Sequence, residues 1–201
     1  RDGRLCIIIC VTRNIKKTSR DLSSRDGFII VAFGWIAMAV FSALPFYLSD
    51  NYNLSYTDSF FEAMSGLTTT GASILGSTTY ISELTLGLQF WRSFTHFIGG
   101  MGIIVFSIAI LPLLGIGGVQ LFRAEGSDTT EKILPKTREV TLIISIIYLS
   151  LTLFCGIAYW IVGMNIFDSI AHSMTTIATG GFSTYSNSIG HFQNPKIETI
   201  S

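Results

Sequence analysis

Residues 58–73 read DSFFEAMSGLTTTGAS, and residues 168–183 read DSIAHSMTTIATGGFS. The two stretches align without a gap at a constant offset of 110. Asp58 pairs with Asp168, Ser59 with Ser169, Met64 with Met174, Thr69 with Thr179, Gly71 with Gly181 and Ser73 with Ser183. Each copy opens as one or two amphiphilic helical turns and runs into an extended segment rich in Thr and Gly. Each copy follows a long apolar run. A duplication of this kind inside membrane-like sequence is the pattern of a pore lined by backbone carbonyls.

The composition agrees. Of the 201 residues 49% are hydrophobic and only 13% charged, and the mean hydropathy is +0.53. A soluble domain carries about twice that charged fraction. The 13 basic and 13 acidic residues cancel, so nothing points to nucleic acid. Cys6, Cys10 and Cys155 are an odd set in apolar surroundings, which argues against a disulfide framework. Cys6 and Cys10 lie a helical turn apart without a His or acidic companion, so a metal site there is disfavoured.

Three uncharged apolar runs, at 28–48, 97–114 and 142–162, approach or reach the ~20 residues needed to cross a bilayer. The second is extended at its start by residues 89–96, and residues after Pro195 look like the beginning of a fourth. Pro45 falls near the end of the first, where it harms a helix least. Seven of the 13 Lys and Arg residues lie within 1–27, and four more lie between Arg123 and Arg138. Residues 49–88 and 162–195 contain none. By the positive-inside rule, 1–27 and 115–140 face the cytoplasm and the two loops without basic residues face out.

Neither of those outer stretches reads as a simple loop. Residues 57–66 suit a helix too short to span, with Asp58 placed to cap it. Residues 168–175 repeat the arrangement, with Asp168 in the same role. Two re-entrant half-helices at one offset imply a pore or a midplane site, because irregular backbone at membrane depth must be buried in protein or line water. In Thr68-Thr69-Thr70-Gly71 and Ala178-Thr179-Gly180-Gly181, small side chains allow successive carbonyls to replace the water around a weakly hydrated cation. The C-terminal end of each half-helix adds a partial negative charge, on the order of half an elementary charge. Neither segment holds a carboxylate, so a monovalent cation suits them better than calcium or magnesium.

Plainer readings apply to several residues. TTTG alone is weak, and the repetition carries the argument. Asp58 and Asp168 read as helix caps rather than ion ligands. Glu62 and His172 face neighbouring protein or the outer vestibule. Arg92 and His96, near the outer end of the second span, read as snorkelling or packed side chains. Gly99, Gly100 and Gly102 allow close helix packing, a gating hinge being the sharper alternative.

Five segments carry a family resemblance: SALPF at 42–46, FFEAMSGLTTTGAS at 60–73, WRSFTHFIGGMGIIV at 91–105, AILPLLGIGGVQLFRAE at 109–125 and TIATGGFSTYSNSIG at 176–190. From about Arg25 onward the chain resembles the TrkH/TrkG/KtrB superfamily of bacterial potassium transporters, and within it the TrkH branch. The resemblance implies an all-α membrane protein built from parallel helix–pore loop–helix repeats of the potassium-channel type, with re-entrant half-helices and extended filter segments. The family has four such repeats, of which this chain resembles the first and the second up to its filter.

On that basis the chain divides into four parts. Residues 1–27 are a cytoplasmic N-terminal segment, suspected to be the remnant of an extra helical pair. Residues 28–114 are the first repeat, 115–138 a cytoplasmic linker, and 139–201 the incomplete second repeat. The resemblance places potassium at Thr69 and Thr70 in the first filter and at Thr179 and Gly180 in the second, with Gly71 and Gly181 adjoining. It implies uptake of potassium as a substrate with no cofactor, in the bacterial inner membrane. It also implies lipid contact, a homodimer and a cytoplasmic nucleotide-binding regulator of the TrkA type. A symporter coupling potassium to protons or sodium is the alternative. A membrane enzyme is disfavoured, because His96 and His172 lack Cys or acidic partners at metal-ligand spacing.

Overall fold

A computed structural model describes residues 24–49, 52–75, 81–110 and 130–201, with side chains for these except 24, 107–110 and 130–138. Among them the chain is helical, without strands. The expected segment 1–27 and linker 115–138 lie largely outside the described residues.

Helix α1 (Ser24–Ser42) and the short α2 (Leu44–Tyr47) are nearly continuous and interrupted at Ala43. Pro45 lies in the first turn of α2 and has no N–H to offer the turn before it, which accounts for the break. The Trp91 indole donates to the Ser42 carbonyl at 3.0 Å beside the kink. Together these helices supply a 23-residue span, Arg25–Tyr47. The long helix α5 (Thr130–Val162) supplies a second, Glu139–Val162, of 24 residues. At ~1.5 Å per residue either is ~35 Å long, enough for a ~30 Å hydrocarbon layer.

These two helices are not the core of a soluble domain. Phe33, Phe41, Phe154 and Ile161 expose 69%, 70%, 73% and 75% of their surface. Apolar side chains project all round both helices, the pattern of a lipid-facing span.

Each span is followed by a half-helix of 12 residues, α3 (Tyr56–Leu67) after the first and α6 (Ile166–Ile177) after the second. A 3₁₀ turn (Ile81–Glu83) then leads into α4 (Leu86–Ile110), and another (Ser188–Phe192) leads into α7 (Pro195–Ile200). Helix α3 packs on α1 and α4; α6 packs on α5 and also on α4. Helix α4 thus belongs to the first repeat by sequence and touches both half-helices.

Its glycines make that possible. A Cβ at Gly99 would fall on the Leu67 carbonyl at the end of α3. One at Gly100 would meet the Tyr148 hydroxyl of α5 and Ala178 of the second filter. Gly102 faces the Trp35 ring of α1. The close-packing reading of this glycine cluster holds: each glycine admits a different neighbour. Small residues matter here because lipid tails are as apolar as the helices, leaving close contact to drive association.

Each repeat has its own apolar core. In the first, Ala43, Phe46, Ala63, Leu75, Leu84 and Leu88 close together beneath Trp91. In the second, Cys155, Tyr159, Met164 and Ile197 do so, joined by Ile177 and Phe192.

Candidate functional site

The half-helices start alike. Ser55 and Asn165, equivalent under the repeat, are the N-caps, with φ/ψ of −65°/158° and −66°/161°. Ser55 Oγ accepts from the Asp58 N–H at 3.1 Å, and Asn165 Oδ1 from the Asp168 N–H at 2.8 Å. The aspartates reach back: Ser55 Oγ donates to Asp58 at 2.7 Å, and Asn165 Nδ2 to Asp168 at 2.6 Å. This corrects the expectation that Asp58 and Asp168 are themselves the caps. They sit three residues inside, as the acidic partner of a capping-box arrangement. The signal was legible as S-x-x-D and N-x-x-D.

The half-helices also end alike. Thr69 N–H donates to the Gly66 carbonyl at 3.0 Å and Thr70 N–H to Ser65 at 3.0 Å. Thr179 N–H donates to Thr176 at 2.9 Å and Gly180 N–H to Thr175 at 2.9 Å. This bond pair is the Schellman ending, which needs a left-handed residue just past the helix. Glycine usually fills that place, but here Thr69 and Thr179 do, with φ of 53° and 55°. A β-branched residue held there costs of order 1–3 kcal/mol, so the surroundings must over-determine it. Two residues on, Gly71 and Gly181 are again left-handed at φ 77° and 81°, whereas Thr70 and Gly180 are not. Both filter segments therefore alternate handedness in the same phase.

The segments meet. A Cβ on Gly71 would collide with the Gly180 carbonyl oxygen, so Gly71 is glycine for space as well as for φ. Gly181 has open space around it. Of the expected site residues, Gly71 and Gly180 are brought into direct contact. Thr70 and Thr179 are exposed and Thr69 half-buried beside them.

Behind each filter lies a matching brace. Ser73 Oγ is 2.9 Å and 3.1 Å from the Glu62 carboxylate oxygens. Ser183 Oγ is 2.9 Å from His172 Nε2. His172 Nδ1 lies 2.8 Å from the Asp168 carbonyl, which can only accept, so Nδ1 carries the proton and Nε2 accepts from Ser183. Glu62 and His172, equivalent under the repeat, thus accept from equivalent serines. Each serine in turn accepts a backbone N–H, from Leu75 at 3.3 Å and Tyr185 at 3.1 Å. Glu62 and His172 face neighbouring protein; at 0% and 1% exposed, neither reaches an outer vestibule.

Asp168 also takes Thr184 Oγ1 at 2.6 Å and the Tyr185 hydroxyl at 3.0 Å. Burial pushes the Tyr185 phenol up, and its bond to Asp168 adds to that.

Arg92 is the residue sequence reasoning undervalued. It does not snorkel: it is 1% exposed. Nε donates to Glu62 at 2.8 Å, Nη2 to Ser73 Oγ at 3.1 Å, and Nη1 to the Ser183 carbonyl at 2.9 Å. Its guanidinium also lies 4.2 Å from the centre of the Phe182 ring. One side chain therefore ties the stretches following both filters. The signal was a lone arginine in an otherwise uncharged helix, since a charge at membrane depth needs a partner.

The sequence model of the TrkH family, described as a cation transport protein, matches residues 2–201. The chain belongs to the TrkH family. It is 46% identical over 197 residues to the Trk system potassium uptake protein TrkH of Vibrio parahaemolyticus serotype O3:K6 (strain RIMD 2210633), covering 97% of this chain and 40% of that relative. It is 41% identical over 187 residues to the Trk system potassium uptake protein TrkG of Escherichia coli (strain K12), covering 92% of this chain and 38% of the relative. The crystal structure of the potassium transporter TrkH from Vibrio parahaemolyticus superposes with a TM-score of 0.77 at 44% identity, over 90% of this chain and 35% of that one. This TrkH-family chain thus spans about two-fifths of the length of the curated relatives it matches. Its fold is the expected helix–pore loop–helix type, and these relatives are named as uptake proteins rather than enzymes.

Proposed function

We propose that this chain contributes two of the filter segments through which a Trk-type membrane protein takes up potassium. One observation carries the reading: two backbone segments with the same alternation of handedness, touching at Gly71 and Gly180, each follow the C-terminal end of a capped half-helix. Alternating handedness turns successive peptide dipoles toward one side, whereas a plain strand would alternate them. Carbonyls of Thr69, Thr70, Thr179 and Gly180 then serve as neutral ligands, and the half-helix ends favour a cation. Gly71 and Gly181 adjoin them. The absence of carboxylates from both segments fits a monovalent ion.

The distribution of Lys and Arg supports an inner-membrane orientation with residues 1–27 cytoplasmic. A homodimer and a TrkA-type cytoplasmic regulator follow from the family resemblance. The test is potassium uptake by the full-length protein in cells lacking other uptake systems. Gly71→Asp and Gly181→Asp are expected to abolish uptake or potassium-over-sodium discrimination while the protein still reaches the membrane. Wild-type discrimination in both would refute the filter assignment.

A further inference from the structure

The two filters differ where their backbones do not. Position 70 is threonine and the equivalent position 180 is glycine. Gly180 is not in the left-handed region, so its backbone does not require glycine. Its surroundings do. A Cβ built on Gly180 would run into the imidazole of His96, at Nδ1, Cε1 and Cγ. Thr70, by contrast, is exposed, and its hydroxyl lies 2.8 Å from that of Thr68.

His96 comes from α4, in the first repeat, yet it is 0% exposed and lies against the second filter. Its ring stacks on Phe182 with centroids 4.1 Å apart and planes 17° apart. Phe182 is also held by Arg92, one helical turn earlier on α4. Among the described residues neither ring nitrogen of His96 has a hydrogen-bond partner. The ring therefore acts on Gly180 by shape. The contact continues: the Gly180 carbonyl lies against the Cα of Gly71 in the first filter. Gly180 therefore touches α4 through His96 and the first filter through its own carbonyl.

We propose that His96 is a specificity-determining positioning residue, size-matched to Gly180, and that this pair sets the spacing between the two filters. The inference rests on the reading of these segments as a potassium filter. It explains why the second filter carries glycine where the first carries threonine: the volume of the missing side chain is occupied by an imidazole from the neighbouring repeat.

The test is a double-mutant comparison in the full-length protein, with membrane level and the uptake ratio of potassium to sodium both measured. Gly180→Ser overpacks the contact and is expected to lower the ratio about tenfold or more. His96→Ala opens the contact and is expected to lower it several-fold. The double variant His96→Ala/Gly180→Ser is expected to recover a ratio well above that of Gly180→Ser alone, because the serine then has room. His96→Phe, which keeps a ring, is expected to stay near wild type. If His96→Ala fails to insert, His96→Val serves as the background, and the same rescue is required of it. Absence of rescue in the double variant overturns the pairing. So does a wild-type ratio in His96→Ala while Gly71→Asp has lost discrimination, and in that case the filter reading survives. Wild-type ratios in both Gly71→Asp and Gly181→Asp would remove the filter reading itself, and the pairing with it.

Discussion

Arg92 and Glu62, 30 residues apart in sequence, form a salt bridge of 2.8 Å in which neither side chain is more than 2% exposed. Their burial sets the energetics. Removing one partner strands the other charge away from water, and for a buried pair that costs about 3–5 kcal/mol. Glu62→Gln and Arg92→Gln are therefore each expected to lower thermal stability in detergent sharply. The double variant should lose less than the sum of the two. Additive losses would show that the two groups do not depend on each other.

Gly71 and Gly181 occupy equivalent places but should not be equally sensitive. Both are left-handed, so alanine at either strains the backbone by about 1–2 kcal/mol. Only at Gly71 does the new methyl also meet the Gly180 carbonyl; at Gly181 it enters open space. Gly71→Ala is expected to lose potassium uptake, and Gly181→Ala to retain a measurable part of it. Ion flux at matched membrane levels decides, and equal loss in both would mean that strain alone matters.

The two aspartates that bond back to the N-caps differ in the same way. Asp58 is half-buried and bonds within its own helix start. Asp168 is 2% exposed and also holds Thr184 and Tyr185, beyond the second filter. Asp58→Ala removes one charge-assisted bond, from the Ser55 hydroxyl, and is expected to cost about 1–2 kcal/mol. Asp168→Ala should cost more, because charge-assisted bonds are worth about 1.5–3 kcal/mol each. Paired melting curves in detergent measure the difference, and an equal or smaller loss for Asp168→Ala would contradict the bracing role.

Orientation can be checked directly. Single cysteines at Thr18 and Ser82, in a background without other cysteines, should react with an impermeant reagent from opposite faces. The basic residues clustered within 1–27, and their absence from 49–88, set that expectation. Reactivity of both from one face would reverse the assignment of a loop.

Some features were legible in the sequence because they are local. Apolar runs announce spans through their length. The gap-free repeat announces two half-helices with equivalent endings, since a Schellman turn is built from residues within one stretch. The caps were misplaced by three residues because aspartate serves equally at the cap and at the third helical position. The S-x-x-D and N-x-x-D spacing points to the second, and the extended φ/ψ of Ser55 and Asn165 shows it.

By itself, then, the sequence determined the class of the protein, the two spans in its first and third apolar runs, and two equivalent half-helices running into Thr/Gly-rich segments. Tertiary structure alone decided what Arg92 and His96 do. On a helix of apolar neighbours both resemble ordinary side chains near a membrane edge. The partners that decide this, the Ser183 carbonyl for Arg92 at a sequence separation of 91 and Gly180 for His96, come from the other repeat. Nothing in the local pattern specifies which face of α4 meets α6. That depends on Gly100 letting Ala178 approach while Gly99 admits Leu67 of α3, a matter of packing between helices rather than of order along the chain.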